Sequence, residues 1–90
     1  MFVPTISQFY GITIRMYVND HNPPHFHAQY GGDEAYVDLK TGEVFKGRLP
    51  RSAVRLVRRW ALARQAELMD NWNLSKIGKV PQRILGLDAD

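Results

Sequence analysis

Ninety residues suit one compact domain with one modest core, and 44% apolar with 23% charged residues is the balance of a globular chain. The absence of cysteine excludes disulfides, thiolate metal centres and a cysteine nucleophile, and no run approaches the ~18 apolar residues of a membrane span. The formal net charge is only +3, but five of the eight arginines, Arg48, Arg51, Arg55, Arg58 and Arg59, fall within twelve residues.

Residues 1–10 carry no charged leader or long apolar stretch and read as an N-terminal arm, so a cytoplasmic location is expected. The segment GITIRMYV then alternates Ile12, Ile14, Met16 and Val18 against Thr13, Arg15 and Tyr17, the period of a half-buried strand. NDHNPP breaks the pattern, because Asn, Asp and paired prolines form turns and proline donates nothing to a ladder. HFHAQY resumes it, with Phe26, Ala28 and Tyr30 on one side and His25, His27 and Gln29 on the other. After the turn GGD, EAYVDL sets Ala35, Val37 and Leu39 against Glu34, Tyr36 and Asp38; KTGE is a hairpin connection and VFKGRL a weaker fourth strand. Closely spaced turns between such strands imply an antiparallel meander.

From Pro50 the period changes. Pro50 suits a helix start, with Ser52 a second cap nearby. At about 100° per residue, Ala53, Val57, Trp60, Ala61, Leu68 and Trp72 share one stripe, with Arg51, Arg55, Arg58 and Arg59 roughly opposite. Both tryptophans read as core. The expected fold is therefore α+β in two layers and one domain: a four-stranded antiparallel meander over residues 11–49, one long helix over 50–73 packed on one face, and a tail over 74–90 in which QRILGL makes a short closing strand.

A helix covers only one sheet face, here the one bearing Ile12, Ile14, Met16, Phe26, Ala28, Val37 and Leu39. The other pleat then carries Arg15, Tyr17, His25, His27, Tyr36 and Asp38 and is expected to be wet. Imidazoles, phenols, a guanidinium and a carboxylate are more chemistry than a solvated face needs. All three histidines of the chain lie in NDHNPPHFHAQYGG. His25 and His27, two apart on a strand, would present both rings on one face, which suits capture of a first-row divalent ion with His21, Asp20 or Asp38 as a third ligand. Without metal, an imidazole near neutrality beside Tyr17 and Arg15 is equipment for binding or cleaving a phosphodiester. As structural groups, the same rings would satisfy loop backbone or Asp20. Arg64 stands on the apolar helix stripe, where it would snorkel to water or reach Asp20 or Asp38.

The stretch PTISQFYGITIRMYVNDHNPPHFHAQYGG, followed by TGEVFKGRLP and a helix with RWA and NW, resembles the small bacterial family catalogued as domain of unknown function 4160. Its signature is carried here by Asp20, His21, Pro23, Pro24, His25, Phe26 and His27. Arg64 departs from the family, which often has histidine at that position. The resemblance implies no established chemistry. It implies a gene context beside a second small protein, in suspected toxin–antitoxin pairs, and in some members a transcriptional-regulator label.

These readings converge on a cytoplasmic member of such a pair that binds or acts on nucleic acid. His25, His27, Tyr17 and Asp20 are the expected catalytic residues. Arg15, Arg48, Arg51, Arg55, Arg58 and Arg59 are the expected nucleic-acid contacts. A metal-free cluster without cofactor is expected, any metal falling to His25, His27 and His21; the expected partners are nucleic acid and the neighbouring small protein. The competing expectation is a non-enzymatic interaction module, or a regulator, with structural histidines.

Overall fold

The computed structural model describes residues 3–89. Five strands, β1 (Thr5–Phe9), β2 (Ile12–Arg15), β3 (His25–Tyr30), β4 (Asp33–Asp38) and β5 (Val44–Gly47), form one antiparallel sheet in chain order. Two helices follow, α1 (Arg51–Ala63) and α2 (Gln65–Lys76). The two-layer α+β architecture and the meander are as the alternation demands. The sheet has one strand more than expected, because Thr5–Phe9 of the supposed arm pairs with β2. Its turn is Tyr10–Gly11, where φ of 49° and 80° meets the requirement of a type I′ turn for positive φ at both central residues.

The expected inward residues Ile12, Ile14, Met16, Phe26, Ala28, Val37 and Leu39 are all buried, joined by Ile6, Phe9 and Ala35. The helix stripe Ala53, Val57, Trp60, Ala61, Leu68 and Trp72 closes this core. Trp60 is its centre, with its ring 5.4 Å from Phe26 edge-on and 5.3 Å from Phe9.

The single long helix is instead interrupted at Arg64, whose φ of −118° leaves the helical region. Arg64 N–H is shared between the carbonyls of Trp60 (3.0 Å) and Ala61 (3.2 Å), while the side-chain amide of Gln65 donates to Ala61 O at 3.2 Å and also to Leu39 O. A side chain competing for the ladder is a recognised cause of a helix break. The second helix then runs to Lys76, three residues beyond the expected end at 73.

Arg64 neither snorkels nor reaches Asp20 or Asp38. Its guanidinium donates to the carbonyls of Leu85 (3.2 Å), Gly86 (3.0 Å) and Ala89 (3.4 Å), and Trp60 Nε1 donates to Leu85 O at 2.8 Å. Buried Asn71 grips the same tail reciprocally, Nδ2 donating to Gln82 O and Oδ1 accepting from Gln82 N, both at 2.8 Å. The tail thus lies beside β1, with Ile84 N donating to Ile6 O at 2.7 Å. One ladder bond does not make a strand, so the expected closing strand is an extended strap.

Candidate functional site

Register places the functional residues. Across the sheet Arg15 pairs with His27, His27 with Tyr36, and Tyr36 with Lys46, so four strands contribute one row on the face opposite the helices. His25, two residues along β3, shares that face. Above the row runs the loop between β2 and β3, which contains Asn19 at φ 61° and a cis Asn22–Pro23 peptide. Asn19 N donates to Ser75 O at 3.0 Å and Lys76 Nζ to Asp20 O at 2.7 Å, so the end of α2 holds the loop down and turns Asp20 inward.

The expected wet face is consequently dry where it matters. His25 is 4% and His27 5% exposed, because the loop and aromatic rings cover them. Tyr17 and Tyr36 each lie 4.3 Å from the His27 ring, and His25 stacks on Tyr36 at 5.6 Å with Phe45 and Trp72 at 5.7 and 5.5 Å. The resulting pocket, of ≈390 Å³, is lined by Tyr17, Asp20, His25, His27, Tyr36, Phe45 and Lys46, among others.

At its floor Asp20 Oδ2 lies 3.0 Å from His25 Nε2 and 3.3 Å from His27 Nε2. The other carboxylate oxygen accepts from His21 N at 2.9 Å. His25 Nδ1 is 2.7 Å from Pro23 O, and because a carbonyl only accepts, Nδ1 carries the proton. His27 Nδ1 is 3.8 Å from Glu34 Oε2, too far for a hydrogen bond.

Burial raises the Asp20 carboxyl, but the His21 N–H, the His27 hydrogen bond and the charges of His25 and His27 together outweigh it and hold the group below 3.8. Burial lowers His27, and the proximity of His25 adds to it; the Asp20 hydrogen bond and the charges of Asp20 and Glu34 recover only part, leaving it below 6.5. Both groups therefore bind protons less readily folded than unfolded. In chelator-treated buffer, the share of stability tied to His27 should be fully present above pH 6.5 and decline as pH falls below it, when unfolded His27 protonates and native His27 does not; the Asp20 share should go below 3.8. Urea midpoints measured from neutral to acid pH check this, and a midpoint that rose on acidification would contradict it.

Of the expected catalytic residues, Tyr17, Asp20, His25 and His27 are brought together. His21, expected only as a metal ligand, lines the rim of the same pocket with Nδ1 3.8 Å from Asp20 Oδ1, but its side chain is 97% exposed and stands outside the buried cluster. Asp38 accepts from the N–H of Lys40 (2.8 Å) and Thr41 (3.2 Å) and so serves the β4–β5 turn. Arg15 lies on the pocket face and is hydrogen-bonded to Gln29. Arg51, Arg55, Arg58 and Arg59 are exposed on α1, and since α1 packs on the Phe26 face, they point away on the other side of the sheet. Arg48 is exposed just beyond β5. The expected contacts thus form two surfaces. Phe45, Lys46, Glu34 and Lys76 belong to the site without having been expected. The first two enter through a shift of the β4–β5 register at Tyr36–Val37, which no pattern of alternation signals.

Fold and site together define a small α+β domain whose sheet buries a carboxylate–imidazole cluster beneath an aromatic pocket. A family model, Domain of unknown function (DUF4160), matches residues 11–73, and the chain belongs to that family. No curated protein and no solved structure matches it significantly. Among the described residues no helix is long and apolar enough to cross a membrane.

Proposed function

We propose that the protein binds a nucleic-acid strand on its histidine face, as one member of the toxin–antitoxin-like pair that the family resemblance implies. The observation that carries this reading is the row Arg15–His27–Tyr36–Lys46 beside the 48% exposed ring of Phe45. Bases stack on exposed aromatic rings laid across a sheet, and flanking cations take the phosphates. Lys46 Nζ lies 4.9 Å from the centre of the Tyr36 ring, so cation and stacking surface are already adjacent. Cleavage of the bound strand would draw on the Asp20–His27 pair for proton transfer, with Arg15 and Lys46 stabilising charge on the phosphoryl oxygens.

A second reading, an interaction module with structural histidines, draws on the exposed apolar side chains Leu62, Ile77, Val80 and Leu85. Incubation with labelled single-stranded RNA and DNA at low and moderate salt separates the two. The expected result is binding that weakens with salt. Accompanying cleavage assigns an enzyme, binding without cleavage a regulator, and no binding at either salt contradicts the proposal in favour of the module.

A further inference from the structure

The floor of the pocket contains an unresolved contact. When His25 is neutral its proton is on Nδ1, and its Nε2 lone pair then faces Asp20 Oδ2, itself an acceptor, at 3.0 Å. Nε2 is buried and makes no hydrogen bond of acceptable geometry among the described residues. Two facing lone pairs in a dry site repel unless something positive lies between them.

We propose that Asp20, His25 and His27 form a binding site for one divalent first-row transition-metal ion. Their ligand atoms all lie within 4.8 Å of one another. Bonds of about 2.0–2.2 Å at tetrahedral or octahedral angles hold neighbouring ligand atoms roughly 2.8–3.6 Å apart. The separations from Asp20 Oδ2, 3.0 and 3.3 Å, fall in that interval. The surroundings have the form of an outer ligand shell. His25 is oriented by its Nδ1–H on a backbone carbonyl, whereas His27 Nδ1, 3.8 Å from Glu34 Oε2, makes no hydrogen bond among the described residues. Asp20 has one oxygen engaged by the His21 N–H and presents the other. Two imidazoles and one carboxylate suit borderline ions such as Zn²⁺ or Co²⁺ and do not suit Mg²⁺ or Ca²⁺. The remaining coordination positions would face the pocket, where a small ligand or water completes the set.

This site rests on ligand geometry and stands whether or not a nucleic acid enters the pocket; with an ion bound, Asp20 and His27 are occupied as ligands and the proton-transfer role proposed above belongs to the metal-free protein only. It reverses the metal-free expectation and replaces His21 by Asp20 in the ligand set. The test is calorimetric titration of the chelator-stripped protein with Zn²⁺ at near-neutral pH, with Co²⁺ absorption and thermal melting alongside. Wild type should bind one ion, gain thermal stability, and show visible Co²⁺ bands of nitrogen and oxygen ligation; Mg²⁺ should do none of these. Asp20→Asn and His27→Gln should each raise Kd by more than about 100-fold, since even outer-shell changes cost 10–100-fold. His21→Ala should bind as wild type. Failure of the wild type to bind Zn²⁺ and Co²⁺ saturably overturns the site whatever the variants do. So does binding that survives Asp20→Asn and His27→Gln, or that His21→Ala abolishes.

Discussion

Replacing His27 with glutamine is expected to weaken nucleic-acid binding or cleavage at least about tenfold while leaving the urea midpoint in chelator-treated buffer close to wild type. His25→Gln should lower that midpoint, at a cost of about 1–3 kcal/mol. The asymmetry follows from what each ring holds. His25 Nδ1 donates to Pro23 O at 2.7 Å, and its ring is packed among Tyr36, Phe45 and Trp72, so its loss frees the entry to β3. His27 Nδ1 is buried without a partner among the described residues, so on that side glutamine gives up no bond. Its other nitrogen faces Asp20 and the pocket. Equal stability losses, with function falling only in proportion, would make both histidines structural.

Gly47→Ala is expected to be the most damaging small substitution in the chain. Gly47 has φ of 76°, and a Cβ there would stand 2.3 Å from Glu34 O and 3.1 Å from Ala35 Cα. Neither backbone atom can move without parting β4 from β5, which brings Phe45 and Lys46 to the site. A left-handed alanine alone costs roughly 1–2 kcal/mol. With the overlap, a loss of about 3 kcal/mol or more is expected, a fall in Tm of more than about 10 °C for a domain of this size. Gly31→Ala isolates the steric part, since Gly31 also has positive φ, 58°, but a Cβ there meets nothing within 4 Å. Similar losses in the two variants would show that the β5 contact contributes nothing.

The meander from β2 to β5 and the buried stripe of the helices were legible because alternation and the 3.6-residue period each mark one face to be buried. β1 was not. In TISQF both Ile6 and Ser7 are buried and the register shifts between Thr5 and Ser7, so no clean alternation survives. The break at Arg64 was hidden because neither proline nor glycine marks it; it depends on Gln65 reaching Leu39 across the fold. At the site, the shared face of His25 and His27 follows from their spacing of two residues. The inward turn of Asp20 depends on Ser75 and Lys76 more than fifty residues away, which no local pattern reports. The division of the arginines has a simple origin: a helix that covers one sheet face points its polar side away from the other.

That division makes the choice of face measurable. The decisive experiment is the Kd of a labelled single-stranded oligonucleotide as a function of salt, for wild type, Phe45→Ala/Lys46→Gln, and the helix variant Arg51→Gln/Arg55→Gln/Arg58→Gln. Stacking on one aromatic ring is worth about 1–3 kcal/mol and one phosphate contact about 0.7 in the logarithmic salt slope. The pocket-face variant should therefore bind at least about tenfold more weakly with a flatter salt dependence, while the helix variant stays within a few-fold of wild type. Wild-type affinity in the pocket-face variant, with binding lost in the helix variant, would place the nucleic acid on α1 and contradict a histidine-face site.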